Sequence, residues 1–520
     1  MSDESAIVCA RRERDRLFAP GHLGELTRYV PVELVDAVLA EHGGVQKRLR
    51  LLPSRVGVYL LLAMGLFASL SVVGVWHRLC ANLPGRRWEP SEKALRDLRR
   101  RIGPAPLKAL FEVVAGPLGW PTGPGMGYGR WRTVAFDGCS SIKVADTAAN
   151  RAWLGKSGHV RGGQAGYPQL GLMALVETGT RALLGACFGR IHQGETVQAR
   201  SLLHLLTPDM LVLADRAFDG AAFLAEVEAT GAQFLVRVSA ARRRPQQAVL
   251  SDGGRLCRAG TRTVRMIDAD LHVHLADGTR LREHYQLATT LTDPRLHRAE
   301  DLVRLYHERW EAESAFLALR HTLLGGRVLR SGDPAGLAQE MWAPLTLYQV
   351  LRMAMADAAG HRLADPDRAG FTIALNTARD QVVLAAQGDP ADLKGTIGRA
   401  VLAHLLPPRR ARVSARKVKS PISRYHANTA PRPTPSTPVT AIHIRLTQPP
   451  GRPPTLPQRI LDLLQTAPDR HWHRNEIARA LGIERTDHLR QRLAAATRHG
   501  WIRKIKDATY TLPLTTPNTP

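Results

Sequence analysis

Three acidic residues in this chain have the type and setting for phosphoryl chemistry. Asp137 closes the apolar run VAFDG, Asp215 closes LVLADRAF, and Glu313 lies in the segment from Tyr306 to Arg320. Carboxylate oxygens are hard ligands that suit Mg²⁺, which keeps positions open for phosphate. The Glu313 segment also carries Tyr306, Arg309 and Arg320. At about 100° per residue, Tyr306, Arg309, Glu313 and Arg320 fall within roughly 60° of one another on a helix. Leu302, Trp310 and Leu317 lie on that arc or its margins, and Arg304, Glu308 and Glu311 project to the far side. Charge on an apolar stripe is unfavourable unless it is paired or metal-bound. The row therefore reads either as a site or as an internal staple of Glu313 with Arg309 and Arg320. Each aspartate also has a plain reading: Asp137–Gly138 as a turn pair, and Asp215 as a partner of Arg216.

The elements that must position these residues form an α/β pattern. WRTVAFDG, QLGLMALVETGT and ALLGACFGR read as three strands, the last two joined by a Gly-Thr turn. A polar helix, ETVQARSLLHLL, precedes the apolar strand MLVLADRAF, whose composition suits burial on both faces. A helix over Phe218–Thr230 and the strand QFLVRVS follow. Short alternating segments between Ala240 and Thr292 read as an all-β insertion, and Arg298–Leu324 reads as one long helix. In α/β sheets, ligands gather at strand carboxyl ends, where Asp137 and Asp215 lie.

The predicted organisation is a helical N-terminal domain over 1–125, the core's first part over 126–239 and the β insertion over 240–295. The core's second part and a helical C-terminal region occupy 296–405. A basic, Pro-rich linker covers 406–454. Residues 455–512 read as three helices and a hairpin, which resembles a winged helix-turn-helix. Residues 513–520 read as a disordered tail. Val56–Trp76 has no charge and is long enough to cross a bilayer. Interrupted by Ser69 and Ser71, it reads instead as a buried helix or helix pair in an N-terminal bundle.

These residues together resemble the DDE transposases of the insertion-sequence-4 family. That family's signature is Tyr-x₂-Arg-x₃-Glu-x₆-Lys, and Tyr306, Arg309, Glu313 and Arg320 match its spacing, with Arg in place of the final Lys. Asp137–Gly138 and Asp215-Arg216-Ala217-Phe218 match the contexts of its first two acids, and Asp146 and Asn150 follow the first as in many relatives. The resemblance spans roughly residues 30–425 and omits the winged-helix-like unit. It implies a ribonuclease-H-like core in which Asp137, Asp215 and Glu313 hold two Mg²⁺ ions, with Mn²⁺ able to substitute. It further implies that Tyr306, Arg309 and Arg320 grip phosphates, and that cut-and-paste transposition proceeds on duplex DNA, both transposon ends and target, in a homodimeric synaptic complex. The Arg320 substitution keeps the charge but replaces a point with a planar fork, which puts a hairpin step in doubt more than cleavage.

The charge balance fits a polyanion partner. The 520 residues carry 72 Lys+Arg against 46 Asp+Glu, a net of +26. The last 120 residues alone hold +15, a gradient that even codon bias towards Arg does not explain. Arg409, Arg410, Arg412, Arg416, Lys417 and Lys419 crowd the linker with no acid among them, and are expected to hold DNA. A 44% hydrophobic content excludes a wholly disordered basic tail. The five cysteines lack CxxC spacing, which argues against a disulfide scaffold or a thiolate zinc site. The first residues lack the order of a signal peptide, so a cytoplasmic, nucleoid-associated setting without a membrane is expected. Two other readings remain: a non-catalytic DNA-binding regulator, and a ribonuclease-H-fold nuclease without strand transfer.

Overall fold

A computed structural model describes residues 21–45, 52–83, 89–120, 123–155, 159–160, 163–164, 166–239, 244–275, 278, 280–386, 392, 394–408, 439–447, 456–483 and 486–513. The chain divides into two compact units, Met1–Leu446 and Thr447–Pro520. The segments predicted over 1–405 thus fall within a single unit.

The first unit opens with helices α1 (Val32–Glu41), α2 (Ser54–Leu66), α3 (Val72–Leu79), α4 (Glu92–Ile102) and α5 (Ala105–Val114). The uncharged run Val56–Trp76 is a helix pair. α2 ends at Leu66, and Ser71 caps α3 by accepting from the Gly74 N–H at 3.1 Å. Among the described residues no helix is long and apolar enough to cross a membrane. α2 and α5 pack on a long helix from the other end of the unit, Pro334–His361, which is buried on nearly every side. A helix that is apolar all round belongs in an interior.

A mixed sheet forms the centre. Its strands are β1 (Trp131–Lys143), β2 (Gln169–Glu177), β3 (Leu183–Arg190), β4 (Met210–Ala214), β5 (Gln233–Arg237), β6 (Gln246–Val249), β7 (Arg255–Ala259), β8 (Arg262–Leu275) and β9 (Arg280–Thr289), in the order β3-β2-β1-β4-β5-β9-β8-β7-β6. β1, β4 and β5 are parallel neighbours, with Ala135 opposite Leu213 and Leu213 opposite Leu235. The period of two divides their side chains cleanly. Val134, Phe136, Val212, Ala214, Phe234 and Val236 enter one core, whereas Ala135, Leu211, Leu213 and Leu235 enter the other. α6 (Ala148–Leu154) follows β1, and α7 (Glu195–Arg200) and α8 (Ala221–Ala229) connect the later strands.

Several elements depart from the sequence reading. The β insertion is not a separate body, because β9 pairs with β5 and carries the sheet onward. Asp137 does not end its strand: β1 continues to Lys143, so Asp137–Gly138 is no turn. The predicted linker yields a strand, β10 (Val439–Leu446), which pairs antiparallel with β8. Its alternation supplies the reason, since Ile442, Ile444 and Leu446 pack on the core. The predicted long helix Arg298–Leu324 is three pieces: α9 (Ala299–His307), α10 (Trp310–Leu317) and a π-helical segment, Ala318–Leu323. At the joint the N–H groups of Glu308, Arg309, Glu311 and Ala312 each bond three residues back. This tight 3₁₀ winding re-phases the helix. Leu317, expected inside, is consequently 61% exposed, and Glu311, expected on the far side, is buried.

The long helix Pro334–His361 is α11, followed by α12 (Phe371–Val383) and α13 (Gly395–Ala403). The second unit contains α14 (Leu456–Gln465), β11 (Trp472–His473), α15 (Arg474–Ala480), α16 (Thr486–Arg498), β12 (Arg503–Lys506) and β13 (Thr509–Thr511). Its three-stranded sheet runs β11-β13-β12 around its own core of Ile460, Leu464, Ile477, Leu489, Leu493 and Ile502. The basic residues Arg409, Arg410, Arg412, Arg416, Lys417 and Lys419 lie outside the described residues, as does the tail from 514.

Candidate active site

Strand register sets the first two carboxylates. With Ala135 opposite Leu213 in parallel strands, two further residues along each bring Asp137 and Asp215 level, on the face that meets α9 and α10. Phe136 and Ala214 hold the two strands from the opposite face, where both are fully buried. Gly138 points to that opposite face as well. A Cβ there would stand 3.0 Å from a Glu195 carboxylate oxygen and 3.2 Å from the Met173 methyl carbon. The Asp-Gly pair therefore reflects close packing rather than a turn. Asp215 leaves β4 and caps the short 3₁₀ turn Arg216–Phe218, its Oδ1 accepting from the Ala217 N–H at 2.8 Å.

Glu313 comes from α10, across the face from the strands. Arg309, 5% exposed, donates from Nη2 to Glu313 Oε1 at 3.0 Å. The ion-pair staple foreseen for this helix therefore exists between these two residues, four apart. Arg309 also bonds the Tyr306 hydroxyl. Burial works against the Arg309 charge, but Tyr306, Asp137 and Glu313 more than offset it and hold its pKa above the ordinary value. Tyr306 is 3% exposed and is pushed up to about 12, chiefly by burial. Arg320 falls in the π-helical segment, half-buried, and its guanidinium makes no hydrogen bond or ion pair with a described residue. The structure thus brings Asp137, Asp215, Tyr306, Arg309 and Glu313 into electrostatic contact, and Arg320 shows no contact with them. Asp146 and Asn150 are structural. Asp146 pairs with Arg151 at 2.9 Å, and the Asn150 amide donates to the Ala145 and Ser331 carbonyls, each at 2.9 Å.

Two residues missed in the sequence complete the wall. Arg237 ends β5 level with Asp215, since Ala214 stands opposite Val236. Its guanidinium lies 4.8 Å from the ring centre of Tyr285, and that ring meets Tyr306 edge-on at 5.2 Å. The signal was present: VAFD, LVLAD and FLVR each end an apolar run in a charge, at matching positions on three parallel strands.

The electrostatics of Asp137 follow first from burial and then from its charged neighbours. The Asp137 carboxyl is raised to about 7, first by desolvation. Arg309 opposes that shift, and the charges of Glu313 and Asp215 add to it. A buried Asp137 carboxyl with Glu313 and Asp215 near it offers only oxygen donors, which suit a hard divalent cation that would relieve both desolvation and repulsion. Among the described residues no three His, Cys, Asp or Glu groups are drawn close enough to enclose an ion as they stand. The donor chemistry fits, while Glu313 leans on Arg309.

The comparisons show the class of protein, a DDE transposase. The family model described as Transposase DDE domain matches residues 133–350, a span holding all three acids, and Insertion element 4 transposase N-terminal matches residues 20–112. The chain belongs to the insertion-sequence-4 family of DDE transposases, enzymes that depend on a divalent metal. It is 26% identical over 347 residues to Transposase InsG for insertion sequence element IS4 of Escherichia coli K12, covering 65% of this chain and 78% of that one. It is 28% identical over 128 residues to Putative transposase InsZ of the same organism, covering 25% and 42%. A solved piggyBac transposase synaptic complex with hairpin DNA aligns over 76% of this chain and 87% of its own at 10% identity. Its TM-score is 0.34. The second compact unit lies outside both family matches.

The raised Asp137 pKa has a consequence for stability. The folded chain holds this proton more tightly than the unfolded chain does. The resulting stability is full below about pH 4 and is lost as pH rises towards 7. With metal chelated, Asp137→Asn is expected to stabilise the protein by roughly 1–3 kcal/mol near pH 8 and to change little near pH 4. Melting curves at the two pH values check this; an equal shift at both would remove the charge as the cause.

Proposed function

We propose that Asp137, Asp215 and Glu313 form the catalytic triad and hold two Mg²⁺ ions, with Mn²⁺ able to replace them. The observation that carries this reading is the register that puts Asp137 of β1 beside Asp215, the residue just past the end of the parallel neighbour β4, with Glu313 electrostatically coupled to Asp137 from the facing helix. Bound divalent ions supply an activated oxygen nucleophile and Lewis-acid stabilisation of the leaving oxygen. The protein's own residues do the rest. The rigid strand ends hold two carboxylates in fixed register. Arg309 orients Glu313 and keeps positive charge beside the acids, where a phosphodiester would bind. Tyr306 stays protonated and able to donate a hydrogen bond. Arg237 and Arg320 offer guanidinium forks to the phosphates flanking the scissile bond.

In this reading the β3-β2-β1-β4-β5 half of the sheet is a ribonuclease-H-like core, extended by β6–β9. The enzyme cuts duplex DNA at transposon ends and joins the released 3′-hydroxyl to target DNA, working as a homodimer in the synaptic complex. The second unit acts as a winged helix. α16 and the β12–β13 hairpin would meet DNA, and Arg503, Lys504 and Lys506 of β12 are all exposed. The basic linker residues Arg409, Arg410, Arg412, Arg416, Lys417 and Lys419 would add phosphate contacts.

Purified protein is expected to nick DNA carrying the element's own terminal repeats only with Mg²⁺ or Mn²⁺. Asp137→Ala, Asp215→Ala and Glu313→Ala should each reduce nicking by at least about a thousandfold. Near-native nicking in any of the three would remove that residue from the triad. Nicking without joined target products would favour a nuclease over a transposase. A second expectation concerns the tail. Deleting residues 455–520 should weaken DNA binding more than it slows cleavage at saturating enzyme. It should also flatten the dependence of log affinity on log salt, by a slope of about one for each phosphate the shortened protein no longer neutralises. A gel-shift titration across salt concentrations with an unchanged slope would count against the winged-helix role.

A further inference from the structure

Glu311 lies two residues before Glu313 on α10, and two residues of α-helix turn a side chain through about 200°. Glu313 faces the strand ends, and Glu311 faces the interior, where it is 5% exposed. Its Oε2 accepts from Arg181 Nε at 2.5 Å, and Arg181 also pairs with Asp367. The Arg181 carbonyl accepts from the Tyr348 hydroxyl at 2.8 Å, and Arg352 donates to that same hydroxyl at 2.9 Å. Arg352 stacks over the rings of Tyr348 and Phe371. Two cations and two anions, all buried, thus tie together four segments. These are the β2–β3 turn, α10, the Pro366–Arg368 turn and α11.

Stability alone gives little reason for such a set. Apolar residues of similar size in place of buried ion pairs are commonly as stable or more so. Arg181 also sits at φ 62°, a left-handed conformation that side chains with a Cβ rarely adopt. What the ionic set adds is direction, because a guanidinium fork donates to carboxylates in one plane and at fixed positions. α10 has need of direction. It is eight residues long, preceded by the 3₁₀ joint at Glu308–Arg309 and followed by the π-helical segment. Neither neighbour carries its rotation through a continuous α-helical ladder.

We infer that the Arg181–Glu311–Asp367 set is a rotational register for α10, with Glu311 and Arg181 as positioning residues that aim Glu313 at Asp137 and Asp215. This rests on the assignment of Glu313 to the metal site. The test uses the full-length chain and two readouts: Mn²⁺ binding by loss of the free-ion paramagnetic resonance signal, and thermal melting without metal. The central variant is the apolar triple, Arg181→Met with Glu311→Leu and Asp367→Leu. It is expected to melt at or above the native temperature, yet to bind Mn²⁺ about tenfold more weakly. Glu313→Gln serves as the control and should weaken Mn²⁺ binding by itself. If Glu313→Gln binds like the native chain, the metal-site assignment fails. If Glu313→Gln weakens binding while the folded triple variant binds Mn²⁺ with native affinity, the register is overturned and the site stands. Should the triple variant not fold, Glu311→Gln takes its place, since it keeps the shape and one hydrogen bond. Weaker Mn²⁺ binding by Glu311→Gln supports the register, and a lowered melting temperature with native Mn²⁺ affinity overturns it.

Discussion

The proposed site depends on holding the Asp137 carboxyl buried beside two further acids. Desolvation and the charges of Glu313 and Asp215 push the Asp137 carboxyl up to about 7, against the pull of Arg309. Loops would relax away from such repulsion. β1 and β4 cannot easily do so, because their parallel ladder and the buried residues between them set the strand ends. A rigid scaffold of this kind is what allows a functional cluster to store unfavourable electrostatics.

Cations manage the repulsion from the helix side. Arg309 is nearly buried and bonds both Tyr306 and Glu313. Arg237, at the end of the next parallel strand, stacks on Tyr285, whose ring meets Tyr306 edge-on. Arg309 thus offsets the charges of Asp137 and Glu313 where it is itself buried. Behind α10, the buried Arg181, Glu311 and Asp367 repeat the same principle away from the chemistry.

Local patterns predicted most of the elements. Apolar runs ending in Asp marked β1 and β4, and period-two alternation marked β8 and β9. The Tyr306-to-Arg320 spacing carried the family resemblance. The misses share a cause. Arg298–Leu324 looked like one helix because helical spacing says nothing of where a ladder tightens to 3₁₀ or loosens to π. Glu311 therefore seemed solvent-facing, and its partner Arg181 lies 130 residues away in the chain. Val439–Leu446 was hidden inside a Pro-rich stretch, and only pairing with β8 makes it a strand. Arg237 was overlooked because its significance comes from strand order, which places β5 beside β4.

The sequence by itself determined the class of the protein and the sign of its charge gradient, and it singled out the three acids proposed as the triad. Residue type and short-range spacing are enough to specify those. Only the tertiary structure decided which side of α10 faces the strands, how Arg309 divides its bonds, and that the β insertion grows from the core sheet. These depend on register and on pairings between residues far apart in the chain. Such pairings form only when burial in the folded chain makes them favourable, and no local pattern encodes that.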